Sequence, residues 1–196
     1  MALEGAEGCG KSTQAARLAA DLDAVLTRET GGTPIGARLR EILHDTTVTD
    51  LADRSEALIT AADRAQHVAT LVGPALAAGR RVVSDRSVHS TLAYQGFGRG
   101  LDAEELRRIN DWAIGGLWPE LVILLDAPPD VLAARIRGRE LDRFERAGDD
   151  FHARVAAGFR AMAAADPIRW VVVDADGDVD AVAERVRRAL DGWVAP

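Results

Sequence analysis

The chain has 196 residues, of which 47% are hydrophobic and 28% are charged, a balance typical of one folded domain with a substantial core. Its formal net charge of −7 argues against a generally basic surface, so we expect no nucleic-acid partner, and an anionic substrate must meet a local cationic site. The single cysteine, Cys9, excludes an internal disulfide, and no apolar run is long enough to span a membrane, so we expect a cytoplasmic protein with no membrane partner.

Short apolar runs alternate with helical patterns along the chain, starting with a short strand in the first four residues. Further strands are predicted at Ala24–Thr27, Arg81–Asp85, Glu120–Asp126 and Arg169–Asp174. These runs lack strict alternation of apolar and polar residues, which is typical of parallel strands covered on both faces. The pattern predicts a three-layer α/β fold, with a parallel five-stranded sheet flanked by helices, in one domain over residues 1–196.

Helical patterns fill the intervals between these strands. The longest covers Asp50–Ala78, with a kink expected at Pro74. Its apolar residues repeat at helical spacing and predict one stripe along the helix: Leu51, Leu58, Ala62, Ala65, Ala69, Val72 and Leu76. The other predicted helices are Lys11–Leu22, Asp102–Leu117, Pro129–Gly138, Asp149–Ala165 and Asp178–Trp193.

The motif G-x-x-x-x-G-K-[ST] lies between the first strand and the first helix. Its residues are Gly5, Ala6, Glu7, Gly8, Cys9, Gly10, Lys11 and Ser12, followed by Thr13. Glycines allow successive backbone N–H groups to surround phosphate oxygens, and the helix N-terminus adds its positive end. The motif predicts that these nine residues bind a nucleoside triphosphate, which we expect to be ATP, with Lys11 reaching the β- and γ-phosphates and Ser12 offering its hydroxyl to Mg²⁺.

Asp85 and Arg86 end the third predicted strand, at the edge where α/β sheets bind ligands. A carboxylate at this position can hold the Mg²⁺ shell, and the arginine can bind a phosphate through two N–H groups. A second interpretation stays open from the residues alone, in which the two side chains only neutralise each other.

Four more regions complete a series of motifs. They are Thr27–Thr33 (TRETGGT), Ala61–Arg64 (AADR), Ser84–Gly96 (with SDRS and STLAYQG) and Arg135–Glu145 (RIRGRELDRFE). Together with the phosphate loop, this series resembles bacterial thymidylate kinase, of the P-loop nucleoside monophosphate kinase superfamily, along nearly the whole chain. The resemblance implies the P-loop NTPase fold, transfer of the ATP γ-phosphoryl group to dTMP to give dTDP for dTTP biosynthesis, and a homodimer.

On the acceptor's phosphate and sugar, the resemblance implies contacts from four residues. Arg40 and Arg86 would hold the acceptor phosphate, Tyr94 would crowd the 2′ position of the sugar, and Glu7 would contact the sugar or the metal. The residues alone leave open that Arg40 is a solvated helix arginine and that Tyr94 is a core aromatic.

On the acceptor's base, the resemblance implies that Arg64 donates to a carbonyl group, while Thr91 and Gln95 meet the imide edge of thymine. Thr60 stands four residues before Arg64, where the family has a phenylalanine that stacks on the thymine ring. Such a stack is worth about 1–3 kcal/mol by analogy with single-strand binders. The departure leaves open another acceptor, such as dUMP, a different deoxynucleotide or a nucleoside. Thr30 likewise replaces a family proline.

The arginine-rich stretch is expected to form a lid over about residues 135–149. Gly8 stands where some relatives carry a loop arginine, and in such cases the family's lid supplies one that neutralises charge on the transferred phosphoryl group. The candidates, in order, are Arg143, Arg139 and Arg137. A solvated basic helix is the alternative from the residues alone.

Two interpretations concern the molecule as a whole. A P-loop ATPase switch without an acceptor would need no arginine cluster in the lid and no Asp85-Arg86 pair, so the sequence favours a kinase. The small-residue helical region near the middle of the chain, with Trp112 and Trp118, could form the homodimer face that the resemblance implies, although its apolar residues are equally suited to a core.

Overall fold

The computed structural model describes residues 1–193, so residues 194–196 of the predicted single domain lie outside the described part. Within residues 1–193, five strands form one sheet in the order β2-β3-β1-β4-β5, with every neighbouring pair parallel. The strands are β1 Ala2–Glu4, β2 Val25–Arg28, β3 Val82–Asp85, β4 Val122–Asp126 and β5 Trp170–Asp174. The predicted five-stranded parallel sheet is confirmed.

Helices cover both faces of this sheet. They are α1 Lys11–Asp21, α2 Pro34–His44, α3 Asp53–His67, α4 Gly73–Ala77, α5 Val88–Thr91, α6 Ala103–Ile114, α7 Pro129–Ile136, α8 Asp149–Ala165 and α9 Val179–Asp191. Two π-helical segments, Val68–Val72 and Leu92–Gly98, follow α3 and α5. The sequence patterns predicted most of these helices, but they gave no bounds for α2 or for the helical stretch after Ser87.

The sheet separates two apolar cores. Along β4, Val122 and Leu124 enter one core, whereas Ile123 and Leu125 enter the other, because successive side chains of a strand point to opposite faces. The first core also takes side chains from α2, α3, α6 and α8, and the second takes them from α1 and α9. This arrangement confirms the three-layer prediction and explains why β4 is apolar at every position but its last.

The buried face of α3 is not the predicted apolar stripe. Leu58 is 55% exposed and Leu76 is 43% exposed, so that stripe does not face the core and the prediction is wrong. The buried residues of α3 are Glu56, Ala57, Thr60, Ala61, Asp63, Arg64 and His67. The prediction from periodicity failed because the polar side chains of α3 are buried and bond to other segments, while part of its apolar side is exposed to solvent.

A π-helical segment, Val68–Val72, ends two residues before Pro74, where a kink is predicted. Among residues 1–193, no helix is both long enough and apolar enough to cross a membrane.

The carboxyl ends of the three strands nearest the phosphate loop lie side by side. Asp85, the last residue of β3, stands opposite Leu3 of β1 and opposite Arg28 of β2. Because all the strands are parallel, the loops that follow β1, β2 and β3 leave the sheet at the same edge. The phosphate loop, the segment that begins at Glu29 and the segment that begins at Arg86 therefore share one cleft.

Candidate active site

The phosphate loop passes very close to the backbone of two other segments, and both approaches require glycine. A Cβ atom on Gly5 would lie 2.4 Å from the carbonyl oxygen of Leu125, and one on Gly8 would lie 2.9 Å from that of Leu132. Both glycines also have positive φ angles, of 143° and 81°. The strand, the loop and α1 thus follow one another as the motif predicts.

Lys11 lies in the first turn of α1 and reaches back over the loop. Its Nζ donates to the carbonyl oxygen of Ala6 at 2.8 Å, and the side chain is largely buried. The ammonium group therefore lies beside the phosphate loop, at the N-terminal end of α1. The ammonium group and the helix end both favour a negatively charged ligand there.

Ser12 and Asp85 lie together, as the sequence predicted for two metal ligands. Ser12 Oγ donates to Oδ2 of Asp85 at 2.5 Å, whereas the buried Oδ1 of Asp85 has no hydrogen-bond partner among residues 1–193. A buried carboxylate oxygen without a donor is costly, and hydroxyl and carboxylate oxygens are ligands that Mg²⁺ prefers. The described residues contain no group of three or more His, Cys, Asp or Glu arranged for a metal, but Mg²⁺ is commonly bound by one or two carboxylates together with substrate phosphates. The pair fits Mg²⁺.

Arg86 connects the phosphate loop to the acceptor side of the cleft. Its φ angle of 72° lies in the left-handed region. Residues other than glycine rarely adopt this conformation, and those that do are often found at functional sites. The guanidinium group forms an ion pair with Glu7 and donates to the Tyr94 hydroxyl at 3.1 Å and to the Gly5 carbonyl oxygen at 3.3 Å. Its ion-pair partner is thus Glu7 rather than the neighbouring Asp85.

Glu7 keeps its negative charge at this point. Burial by itself would raise the pKa of a carboxyl group, but Arg86, Lys11 and a hydrogen bond from the Tyr94 hydroxyl at 2.9 Å lower the pKa of Glu7 to about 2. Three residues predicted for the acceptor phosphate and sugar, Arg86, Glu7 and Tyr94, therefore form one hydrogen-bonded cluster.

Glu4 is a residue of this region that sequence reasoning missed. It is fully buried, and its Oε1 accepts hydrogen bonds from the backbone N–H and the hydroxyl of Ser87, both at 2.8 Å. Its Oε2 accepts from the Ser90 hydroxyl at 2.7 Å. Burial raises the pKa of Glu4, against the opposing influence of Arg86 and the two serines. These bonds fix the start of α5, and the only signal in the sequence is one acidic residue at the end of an apolar strand.

Arg64 occupies the centre of a buried polar network on the base side. Its Nε donates to Glu29 at 2.7 Å, and its other nitrogens donate to the Asn110 side chain and to the carbonyl oxygen of Ser87. His67 completes the network through Nδ1, 3.0 Å from Glu29. Burial raises the pKa of Glu29, but Arg64 and His67 outweigh it and the pKa is lowered. Since a guanidinium group has about five N–H donors, Arg64 keeps donors for the cleft that it lines.

Sequence reasoning also missed Glu29, His67 and Asn110 as partners of Arg64. Glu29 lies in the quoted TRETGGT motif, but the three residues are far apart along the chain and have no common spacing. Complementary charges on elements predicted to be buried would have been the only available signal.

The predicted base-reading residues lie together on α3, α5 and the π-helical segment that follows α5. Thr60 and Thr91 are joined by a hydrogen bond of 3.3 Å between their hydroxyl groups. Gln95 donates through Nε2 to Glu56 at 2.8 Å. All three predicted residues line the cleft, as does the aromatic ring of Phe144, which packs edge-on against Tyr94 with ring centroids 5.9 Å apart.

Arg40 points from α2 towards the same cleft. Thr33 starts this helix, since its hydroxyl accepts from the Gly36 N–H at 3.0 Å and a proline occupies the first turn. The Arg40 guanidinium donates to the carbonyl oxygen of Thr30 at 3.3 Å. Burial and the nearby charges of Arg28 and Arg86 lower the pKa of Arg40. Such a concentration of positive charge favours a bound anion.

The arginines predicted for the lid have different surroundings. Arg143, the first candidate, pairs with buried Glu56 at 2.6 Å and donates to the Leu43 carbonyl oxygen at 2.8 Å. Arg139 pairs with Glu145 and lines the cleft. Arg135 also lines it, and reaches the carbonyl oxygen of Gly8 in the phosphate loop at 3.5 Å. Neither Arg143 nor the third candidate, Arg137, is among the lining residues.

One cleft of about 520 Å³ joins these parts. Its wall runs from Gly8, Lys11 and Ser12 of the phosphate loop, past Arg86, to Arg64 and the base-reading residues. The cleft is lined at one end by groups that bind phosphates and at the other by groups that can bond to a flat polar ring, a combination suited to two nucleotides placed end to end.

Comparisons with known proteins agree on one family. The family model described as thymidylate kinase matches residues 3–186. A thymidylate kinase of Synechococcus sp. (strain JA-2-3B'a(2-13)) is 50% identical over 192 residues, covering 95% of this chain and 91% of the relative. One from Leifsonia xyli subsp. xyli is 49% identical, with 99% and 95% covered. A crystal structure of thymidylate kinase from Ehrlichia chaffeensis superposes with a TM-score of 0.79 at 30% identity, covering 97% of this chain and 96% of that one.

Proposed function

This chain belongs to the thymidylate kinase family and transfers the γ-phosphoryl group of ATP to dTMP, and we propose that it does so in the cleft between the phosphate loop and Arg64. The observation that supports this placement is the continuity of the cleft, which passes from Lys11 to Arg64 by way of Arg86. An ATP-binding end and a base-binding end thus share one space, with an arginine at the point where two phosphate groups would meet.

At the ATP end, Gly5–Thr13 bind the triphosphate through backbone N–H groups, and Lys11 neutralises charge on the transferred group. Arg86 holds the acceptor phosphate in line with it, and Glu7 keeps Arg86 oriented through their ion pair. Because the acceptor oxygen is already anionic, the reaction needs positioning and charge neutralisation more than a general base.

Ser12 and Asp85 would hold Mg²⁺, as suggested by the Oδ1 of Asp85, which has no hydrogen-bond partner in the described part of the chain. The ion would neutralise charge on the β- and γ-phosphate oxygens. The protein's part is to keep the hydroxyl and carboxylate oxygens together at the end of β3, beside the phosphate loop.

Residues 135–149 act as the lid, and the guanidinium group of Arg139 neutralises negative charge on the transferred phosphoryl group. Of the three arginines predicted for this role, Arg139 is the one that lines the cleft, whereas Arg143 is paired with Glu56. We expect Arg139→Ala to lower kcat by about a hundredfold or more with little change in the KM for dTMP, and Arg137→Ala to change neither value. Equal losses in both variants would contradict this assignment.

On the acceptor side, Arg40 and Arg86 bind the phosphate of dTMP, and Tyr94 lies beside its sugar. Arg64 donates to a base carbonyl group, and Thr91 and Gln95 bond to the imide edge. Phe144 lines the cleft and offers an aromatic surface, so we assign it the apolar contact with the base that Thr60 cannot make.

A panel of deoxynucleoside monophosphates with MgATP, followed by ADP release, tests this function. We expect dTMP to be phosphorylated fastest, dUMP more slowly, and dCMP and dGMP least. Equal rates for dTMP and dCMP would contradict the base assignments, and ATP turnover without any acceptor would instead favour an ATPase switch.

The enzyme works as a homodimer in the cytoplasm. Support for the dimer comes from large apolar side chains exposed near the middle of the chain, with Trp112 84% exposed, Leu58 55% and Leu117 44%. Trp118, by contrast, packs partly against a core and donates to Asp111, so it is not assigned to the interface. Light scattering after size exclusion should give twice the chain mass of 20.9 kDa. The Trp112→Glu variant should have a measured mass closer to that of a single chain.

A further inference from the structure

Glu56 accepts hydrogen bonds from three charged or polar side chains, and no role described above accounts for this arrangement. It lies on α3, and none of its side chain is exposed. Three side chains from other segments converge on its two oxygens. Gln95 donates to Oε1 at 2.8 Å, Arg99 donates to Oε2 at 3.1 Å, and Arg143 donates to Oε2 at 2.6 Å.

The two arginines and the Gln95 amide surround this carboxylate with donors. A carboxylate can only accept hydrogen bonds. The arginines are themselves held in place, because Arg143 donates to the Leu43 carbonyl oxygen at 2.8 Å and Arg99 lies over the ring of Phe151, 4.6 Å from its centroid. Glu56 is therefore a fixed acceptor.

A fixed acceptor determines which way the Gln95 amide points. The amide must turn its NH₂ group towards Glu56, and its carbonyl oxygen then has no protein donor among residues 1–193. Gln95 is 2% exposed and lines the cleft beside Thr60 and Thr91. The side chain can thus present its carbonyl oxygen, an acceptor, to the ring of a bound base.

We propose that Glu56 is a positioning residue for base selection, which orients the Gln95 amide so that its carbonyl oxygen accepts from the N3–H group of an imide. This proposal rests on the proposed function of the cleft. Thymine and uracil carry a hydrogen on N3, whereas cytosine has an acceptor there, so two acceptors would face each other with dCMP. A site built around one hydrogen-bonding pattern rejects the opposite pattern, because a buried polar group is left unpaired.

The test compares kcat/KM for dTMP with kcat/KM for dCMP in wild-type enzyme and in Glu56→Gln. A glutamine at position 56 can itself donate, so the Gln95 amide is free to turn its NH₂ group to the cleft. We expect the dTMP-to-dCMP ratio to fall by about tenfold or more, the equivalent of one mismatched hydrogen-bonding group. Arg64 is unchanged in both enzymes, so the change in the ratio reports on position 95.

Two further variants separate positioning from loss of structure. Arg99→Met removes a partner of Glu56 that does not line the cleft, and it should lower stability while leaving the ratio near the wild-type value. In a Gln95→Ala background, Glu56→Gln should no longer change the ratio, because its effect passes through Gln95.

The outcomes distinguish this proposal from the proposed function. A wild-type ratio in Glu56→Gln, or an equal fall in Arg99→Met, would overturn the positioning role while the kinase function stands. Absence of dTMP phosphorylation by the wild-type enzyme would overturn the function itself.

Discussion

The phosphate end of the cleft takes Gly5–Ser12 from one continuous stretch of chain, whereas the base end gathers side chains from α3, α5, α6 and the segments around them. At the phosphate end, backbone groups and one lysine do most of the binding. At the base end, buried side chains such as Arg64 and Gln95 are held by Glu29, Asn110 and Glu56 before any substrate arrives.

This difference has a consequence for mutations. A side chain of the phosphate end such as Lys11 acts on the transferred group, so its loss should affect rate more than stability. A side chain of the base end is part of a buried network, so its loss should affect stability and selectivity together.

The largest effect is expected at the phosphate end. Lys11→Ala should lower turnover with dTMP by about 10³-fold or more, because it removes the positive charge beside the transferred phosphoryl group. ADP release measures the rate, and thermal unfolding serves as the control, since the stability should change little. A rate near that of the wild type would contradict the role of Lys11, and a large loss of stability would contradict the comparison between the two ends.

At the base end, Arg64→Leu should lower the free energy of unfolding by about 3–5 kcal/mol, because Glu29 would be left buried without its main partner. The matched control is Arg17→Leu, whose pair with Asp180 is exposed at 44% and 85% and should be worth about 0–1 kcal/mol. Denaturant unfolding measures both variants. Equal losses of unfolding free energy in the two variants would show that burial of an ion pair does not decide how much the pair contributes to stability.

Glu7 lies where the two ends meet, and its charge should be visible in the pH dependence of stability. Its pKa of about 2 in the folded protein is below the ordinary value of 4.5, so the unfolded chain binds the proton more readily. The stabilisation is complete above about pH 4.5 and is lost as the pH falls towards about 2. Glu7→Gln should therefore be less stable than wild type by about 1–3 kcal/mol at pH 7, with a smaller difference at pH 3. Parallel curves from pH 7 to pH 3 would contradict the assignment.

The smallest effect concerns the missing aromatic residue of the base pocket. Thr60→Phe should lower the KM for dTMP by up to about tenfold, since base stacking on an aromatic side chain is worth about 1–3 kcal/mol and the larger side chain also has to fit. Thr60→Val is the control, because it removes the hydroxyl group without adding a ring. A higher KM in the phenylalanine variant than in the valine variant would show that the cleft has no room for a second ring beside Phe144.

Much of the fold could be read from the sequence, because it depends on local patterns. The run Glu120–Asp126 predicted β4, which the structure has at Val122–Asp126, and the helix Asp149–Ala165 was predicted with the bounds that the structure has. The same reasoning failed on α3, where Leu58 faces outward and Arg64 faces inward. Periodicity reports which residues share a face, but it cannot tell which face is buried when polar side chains are bonded inside.

The sequence by itself determined the phosphate loop, since Gly5–Ser12 are contiguous and their function follows from backbone geometry at the start of a helix. Only the tertiary structure decided that Arg86 pairs with Glu7, that Arg143 pairs with Glu56, and that Arg139 lines the cleft. The partner of a charged side chain depends on distances in the folded chain and on exclusion from water. Neither of these produces a repeating pattern along the sequence, so neither can be read from it.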